Sequence, residues 1–176
     1  MATKTKKASP GAKPVYKSSS ASLMPWFGIA LVVILLDQVT KLTVERTFAY
    51  GETVPLTSFF NLIKVYNPGA AFSFLGDASG WQRWFFLAIA IGAVGFCLYM
   101  MKKNASQRLF CFALALIMAG AIGNGIDRVA HGHVIDFLDF YWTGIGHFPA
   151  FNIADIGISV GAFLFIVDEL RRVNKS

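Results

Sequence analysis

From residue 84 to residue 101 the chain reads WFFLAIAIGAVGFCLYMM, without a charge or a side-chain amide. As a helix rising about 1.5 Å per residue, this stretch is long enough to cross a hydrocarbon core about 30 Å thick. No face of it is polar, so a water-soluble bundle would have nothing to present to solvent there. Three further apolar runs, 23–36, 109–123 and 156–167, are shorter and end in polar groups. Extended to Val44, to Ile126 and back to Phe151, each approaches spanning length. With 55% hydrophobic residues and a mean hydropathy of +0.54, the whole chain fits this reading. The expectation is an all-α membrane protein of four transmembrane helices, at about 23–44, 82–101, 108–127 and 151–171, forming one domain over 23–172.

The basic residues orient such a bundle, because Lys and Arg concentrate on the cytoplasmic side. The N-terminal tail carries Lys4, Lys6, Lys7, Lys13 and Lys17, the link KKNASQR carries Lys102, Lys103 and Arg108, and the C-terminus carries Arg171, Arg172 and Lys175. With four helices these segments share one face, which predicts cytoplasmic termini. The net charge of +6 then reports topology, and nucleic acid is not an expected partner. The tail 1–22 is rich in Lys, Ser, Ala and Pro and is expected to be disordered. No small-x-small cleavage site follows the first apolar run, so that helix is expected to be retained. Cys97 and Cys111 lie within or at the inner ends of apolar helices and read as free packing cysteines.

Three of the four helices bring polar groups to one membrane face. The first carries Asp37 and Lys41 near its outer end, the third ends in GNGIDR with Asn124, Asp127 and Arg128, and the fourth begins FNIAD with Asn152 and Asp155. Ionisable groups at membrane depth cost about 2.5–3.5 kcal/mol each and normally face a bundle interior or cavity. The second helix, with no such groups, reads as scaffold. Asp37 and Lys41 stand i,i+4, as do Asn124 and Arg128, while Asn152 and Asp155 stand i,i+3. Helix capping accounts for Asn152 but not for an acid one turn further in. Two segments lie outside the helices on this face. Residues 48–80 contain a β-rich stretch from Val54 to Tyr66, broken by Pro55 and ended by the turn signal Asn67-Pro68-Gly69. Residues 129–150, irregular and aromatic, suit a short interfacial lid.

The chemistry open to this layer uses Asp, Asn, Arg and Lys. No serine sits in a nucleophile-elbow context. His131, His133 and Asp136, with His147, offer a conceivable zinc set, but no HExxH is present and no metal or other cofactor is expected. Two carboxylates acting on a water are the stronger option. Close approach makes such a pair share one proton, because two like charges in a low-dielectric cavity do not both ionise readily. Asp155 is one member by position. Spacing leaves Asp127, Asp136, Asp139 and Asp37 open as the other.

Five motifs, DQVTK (37–41), YNPGAAFS (66–73), GNGIDR (123–128), HVIDF (133–137) and FNIAD (151–155), stand in an order that resembles the bacterial lipoprotein signal peptidases, or signal peptidase II. The resemblance covers 26–172; GNGIDR carries Gly125 where the family more often has a bulkier apolar residue. It implies an intramembrane aspartyl endopeptidase that cuts diacylglyceryl-modified prolipoproteins just before the lipidated cysteine, with no metal, and that is the target of globomycin. It implies Asp136 and Asp155 as the catalytic pair. It further implies Asn67, Asn124, Arg128 and Asn152 as residues holding substrate backbone or the pair, and Asp37 with Lys41 as structural support. The expected setting is the bacterial inner membrane, with the active site toward the outer face, membrane lipid as neighbour and a monomeric enzyme. A different class, a small transporter or proton relay, would need polar groups reaching across the bilayer, and here they gather at one face.

Overall fold

A computed structural model describes residues 21–69 and 80–173 of the chain. The basic tail expected over 1–22 therefore lies outside the described residues but for its last two positions. The YNPGAAFS motif beyond Gly69 and the C-terminal residues 174–176 lie outside them too.

Among the described residues, four helices and one small sheet follow in the order α1 (Met24–Thr47), β1 (Thr53–Pro55), β2 (Phe60–Asn67), α2 (Gln82–Lys103), α3 (Arg108–Ala130), β3 (Val134–Trp142), β4 (Gly146–His147) and α4 (Ile153–Val173). Pro25 opens α1, where its missing N–H and fixed φ are harmless. Within α1 the hydroxyls of Thr40, Thr43 and Thr47 bond back to the carbonyls of Leu36, Val39 and Thr43 at 2.7–2.8 Å. Each hydroxyl is thereby satisfied inside its own helix, as a surface facing hydrocarbon demands.

Burial in α1 is the reverse of that in a water-soluble helix. Its buried residues are Ala30, Asp37, Lys41 and Val44, while Leu31, Val32, Leu35, Leu36, Val39 and Leu42 are exposed. The outside of α2 is equally apolar, with Trp84, Phe85, Ile89, Ile91, Phe96 and Tyr99 exposed. By length and composition α1, α2 and α3 are each able to cross a membrane. The fourth helix, α4, is shorter than these and carries Asp155 at one end and Asp168, Glu169, Arg171 and Arg172 at the other.

The centre of the bundle is α3, against which α1, α2 and α4 all pack. At one end Phe110, Cys111, Leu114, Ala115 and Met118 of α3 form the core with Ala30, Cys97 and Met101. Neither cysteine is in a disulfide. Glycine sets the approach of α4 to α3. A Cβ on Gly120 would stand 2.2 Å from the Ala154 carbonyl oxygen, and one on Gly161 would stand 2.7 Å from that of Ala113. Likewise a Cβ on Gly123 would be 2.5 Å from Asp37 Oδ2, so α1 reaches α3 closely only because that position is bare.

The sheet is antiparallel in the order β1-β2-β3-β4 and sits at the end of the bundle where α3 stops and α4 starts. Here the structure corrects the expectation that 129–150 is irregular. Residues 134–142 are strand β3, paired with β2 from Phe60↔Phe140 to Asn67↔Val134, and Phe151 adds a bridge to Leu138. The reason is physical. Val134 to Phe137 are buried on both faces, so they lack the alternation that marks a half-exposed strand in sequence.

Candidate active site

Two acids face one cavity from different elements. Asp136 lies on β3 opposite Val65 of β2, and Asp155 lies in the first turn of α4. The cavity, about 670 Å³, is bounded at its polar end by Asn67, Asn124, Arg128, Asp136 and Asp155. Its walls are apolar: Phe86, Ile89, Ala90 and Ala93 from α2, Ile117 and Ala121 from α3, and Ile156, Ile158 and Val160 from α4. The bare second helix, read as scaffold, thus supplies one whole wall.

Asn152 joins the two acids. Its Nδ2 donates to Asp136 Oδ1 at 2.7 Å, and its backbone N–H donates to Asp155 Oδ2 at 3.2 Å. Its Oδ1 accepts the N–H of Asp155 at 3.0 Å, the reciprocal arrangement of a capping box with the acid three residues on. This revises the view that capping leaves Asp155 unexplained, since Asp155 is itself half of the cap. A further orphan donor of α4, the Ala154 N–H, goes to Asp37 Oδ1 of α1 at 2.8 Å. The start of α4 is therefore satisfied by groups buried inside the protein.

Asn67 and Asn124 complete the setting. Asn67 Nδ2 donates to Asp136 Oδ2 at 3.1 Å while its Oδ1 accepts the Gly69 N–H at 3.0 Å. Asn124 Nδ2 donates to Asp155 Oδ1 at 2.8 Å. Arg128 does not bond either acid. Its guanidinium donates to the Gly69 carbonyl at 2.8 Å and the Asn124 carbonyl at 3.3 Å, and it rests 5.0 Å from the Phe86 ring centre. Burial, followed by the negative charge of Asp155, pushes the Asp136 carboxyl up to about 7.

Behind this layer lies a buried ionic cluster. Lys41 Nζ stands 2.9 Å from Asp37 Oδ2, from Asp127 Oδ2 and from Asn124 Oδ1. Gln38 Nε2 lies 3.1–3.2 Å from Asp37 Oδ2, Asp127 Oδ1 and the Gly123 carbonyl. Asp37, Lys41 and Asp127 are each at most 2% exposed, a costly burial unless every charge has partners, which these have. Gln38 carries no sequence signal beyond its place in DQVTK, because two of its three partners lie on α3. The acids left open beside Asp155 separate accordingly. Asp37 and Asp127 belong to the Lys41 cluster, and Asp139 accepts from Asn61 at 2.7 Å and meets His147 at 2.9 Å. Among the described residues, Asp136 is the acid that lines the cavity with Asp155.

The histidines do not assemble a metal site. His133 packs on Tyr66 and His147 on Tyr141, and no three His, Cys, Asp or Glu side chains among the described residues come together to hold an ion.

The chain matches the family model for signal peptidase (SPase) II over residues 29–171. It is 64% identical to a lipoprotein signal peptidase of Janthinobacterium sp. (strain Marseille), over 91% of this chain and 96% of that one. It is 53% identical to one of Cupriavidus necator, over 99% of each. Among solved structures it resembles a bacterial membrane enzyme determined by the in meso method at 2.3 Å, with 35% identity, a TM-score of 0.79 and coverage of 87% of this chain and 92% of that one. A bundle with apolar outer faces, two acids sharing a cavity and these relatives together lead to one conclusion: the chain belongs to the signal peptidase II family, the membrane proteases known as lipoprotein signal peptidases.

Proposed function

We propose that this lipoprotein signal peptidase is an aspartyl endopeptidase and that Asp136 and Asp155 are its catalytic pair. The observation that carries the reading is the shared cavity, in which the two carboxylates are linked through Asn152 and backed by Asn67 and Asn124. One acid, ionised, takes a proton from a water. The other, protonated, donates to the scissile carbonyl, and the water oxygen bonds to its carbon. Collapse of the tetrahedral intermediate breaks the C–N bond, with a proton passing to the leaving nitrogen. An Asp136 carboxyl whose half-titration lies at about 7 supports this scheme, since it holds a proton near neutral pH.

The substrate is a prolipoprotein carrying a diacylglyceryl group on the cysteine that follows the cut. In this reading the cavity lies toward the outer face of the bacterial inner membrane, supported by the Lys and Arg residues concentrated at the opposite end of the bundle, in the α2–α3 link and the end of α4. Its apolar walls then receive the signal peptide from the lipid, while the lipidated cysteine stays at headgroup level. Unwinding the peptide around the cut frees backbone groups that lipid does not satisfy, and the Asn and Arg side chains at the polar end are placed to meet them. The enzyme works as a monomer surrounded by lipid.

The test is cleavage of a lipidated precursor by purified Asp136→Asn and Asp155→Asn variants. Both should lose activity by a factor of about 10³ or more while retaining their fold. Normal turnover by either variant would end the assignment.

A further inference from the structure

The buried cluster behind the cavity reaches Asp155 directly through one side chain, Asn124, and Asp136 only at one remove, through Asn152 Nδ2 at 3.2 Å from Asn124 Oδ1; the direction of the direct contact is chemically forced. An ammonium group only donates, so the Asn124 atom 2.9 Å from Lys41 Nζ is oxygen. The amide's other end, Nδ2, then faces Asp155 Oδ1 at 2.8 Å and donates to it. Lys41 is itself held, because its three N–H groups match Asp37, Asp127 and Asn124. Gln38 ties the two acids together on the far side.

Asp136 receives its hydrogen bonds differently. Asn67 and Asn152 donate to it, and the oxygens of those amides accept backbone N–H groups of Gly69 and Asp155. Neither amide is backed by an ammonium in the way Asn124 is. Asp155 also stands in the first turn of a helix, where a negative charge is favoured, while Asp136 is on a strand. Among the described residues, the charged groups that act on Asp155 are Lys41 and Asp37 from α1, Arg128 from α3 and Asp136 from β3, with Asp127 of α3 one contact further on, at Lys41. The α2 wall of the cavity brings no titratable side chain.

We propose that Lys41 is a positioning residue that locks the Asn124 amide and so makes Asp155 the ionised member of the pair, leaving the shared proton on Asp136. This rests on the aspartyl reading above and assigns roles within it. Asp155 takes the proton from water as the new C–O bond forms. Asp136 gives its proton to the carbonyl oxygen as the π pair moves there. On collapse Asp155 protonates the leaving nitrogen, and the hydroxyl proton returns to Asp136, which restores the starting state. The upward shift of Asp136 to about 7 is in keeping with its holding the proton.

The experiment is the pH profile of kcat/KM for the full-length enzyme on a lipidated precursor. In Lys41→Met the acidic limb should move up by about one pH unit or more, while the alkaline limb stays. A purely structural loss would lower the whole profile without moving one limb. Because Lys41→Met leaves two buried acids unpaired, Lys41→Met/Asp127→Asn is run beside it, with thermal melting to confirm the fold. This pair of substitutions keeps the formal charge of the cluster and should show the same displaced limb. Isotope-edited infrared difference spectra of the enzyme against Asp136→Asn and Asp155→Asn give a check that needs no change at Lys41. The protonated-carboxyl band should vanish with Asp136 and the carboxylate band with Asp155. A folded Lys41 variant with both limbs unmoved, or bands assigned the other way round, overturns the proposal. The aspartyl reading itself fails on turnover by the dyad variants, a separate result.

Discussion

At the level of single residues, Asn152 connects more of the site than any other side chain, because it caps α4 and touches both acids. Asn152→Ala should lower stability by about 1 kcal/mol through loss of the cap. It should reduce turnover far more than that figure suggests, since the Asp136 contact at 2.7 Å goes with it. Melting and cleavage assays on one preparation check both. Asp136 makes a second prediction, about pH. Its folded-state half-titration, near 7, lies above the ordinary 3.8, so the folded protein keeps a proton that the unfolded chain has released. That mismatch costs stability progressively as pH rises from about 4 to about 7, and then levels off. The melting temperature of Asp136→Asn relative to the parent should therefore climb over that window and be flat above it. Activity should fall on the alkaline side as Asp136 loses its proton.

The helices depend on residues that are not there. Gly120→Ala puts a methyl against the Ala154 carbonyl and Gly161→Ala puts one against that of Ala113, and backbone does not move aside cheaply. Each should destabilise by about 3 kcal/mol, the upper part of the overpacking range. Gly125→Ala meets Ala90 and Leu87 at an ordinary 3.8 Å and should be near neutral. Thermal melting of the three variants side by side tests the order. The same elements show what a reader of the sequence could and could not see. Membrane character was plain from 84–101, and FNIAD stood out because Asn152 and Asp155 are neighbours on one turn. The role of Asn124 was accessible in kind, as an amide at a polar helix end. Strand β3 was not, because a strand buried on both faces carries no alternation, and its pairing with β2 joins residues such as Asn67 and Val134 across the sequence of two helices. Nor was the fate of Asp127 and Asp139, since Gln38 and Asn61, which bond them, lie 89 and 78 residues away along the chain, and His147 meets Asp139 only across the β3–β4 turn.

In the molecule as a whole, the polar groups that line the cavity gather at one end of the bundle, and the cavity runs from them along α2 and α4. Filling its apolar part with Ala93→Phe should raise KM for a lipidated precursor at least several-fold while leaving the dyad intact, which steady-state kinetics would detect. A chelator should leave turnover unchanged, because none of the proposed steps uses a metal. The anchoring of α4 has a consequence for biogenesis. The start of α4 is held by Asp37 from the opening helix, Asn124 from the third and Asp136 from the sheet, so the proposed pair comes together only when all four of these elements are in place. On the proposed assignment, a nascent chain threading into the bilayer should stay proteolytically silent until its last helix docks, which cleavage assays on a chain lacking α4, with α4 then added as a separate segment, would check.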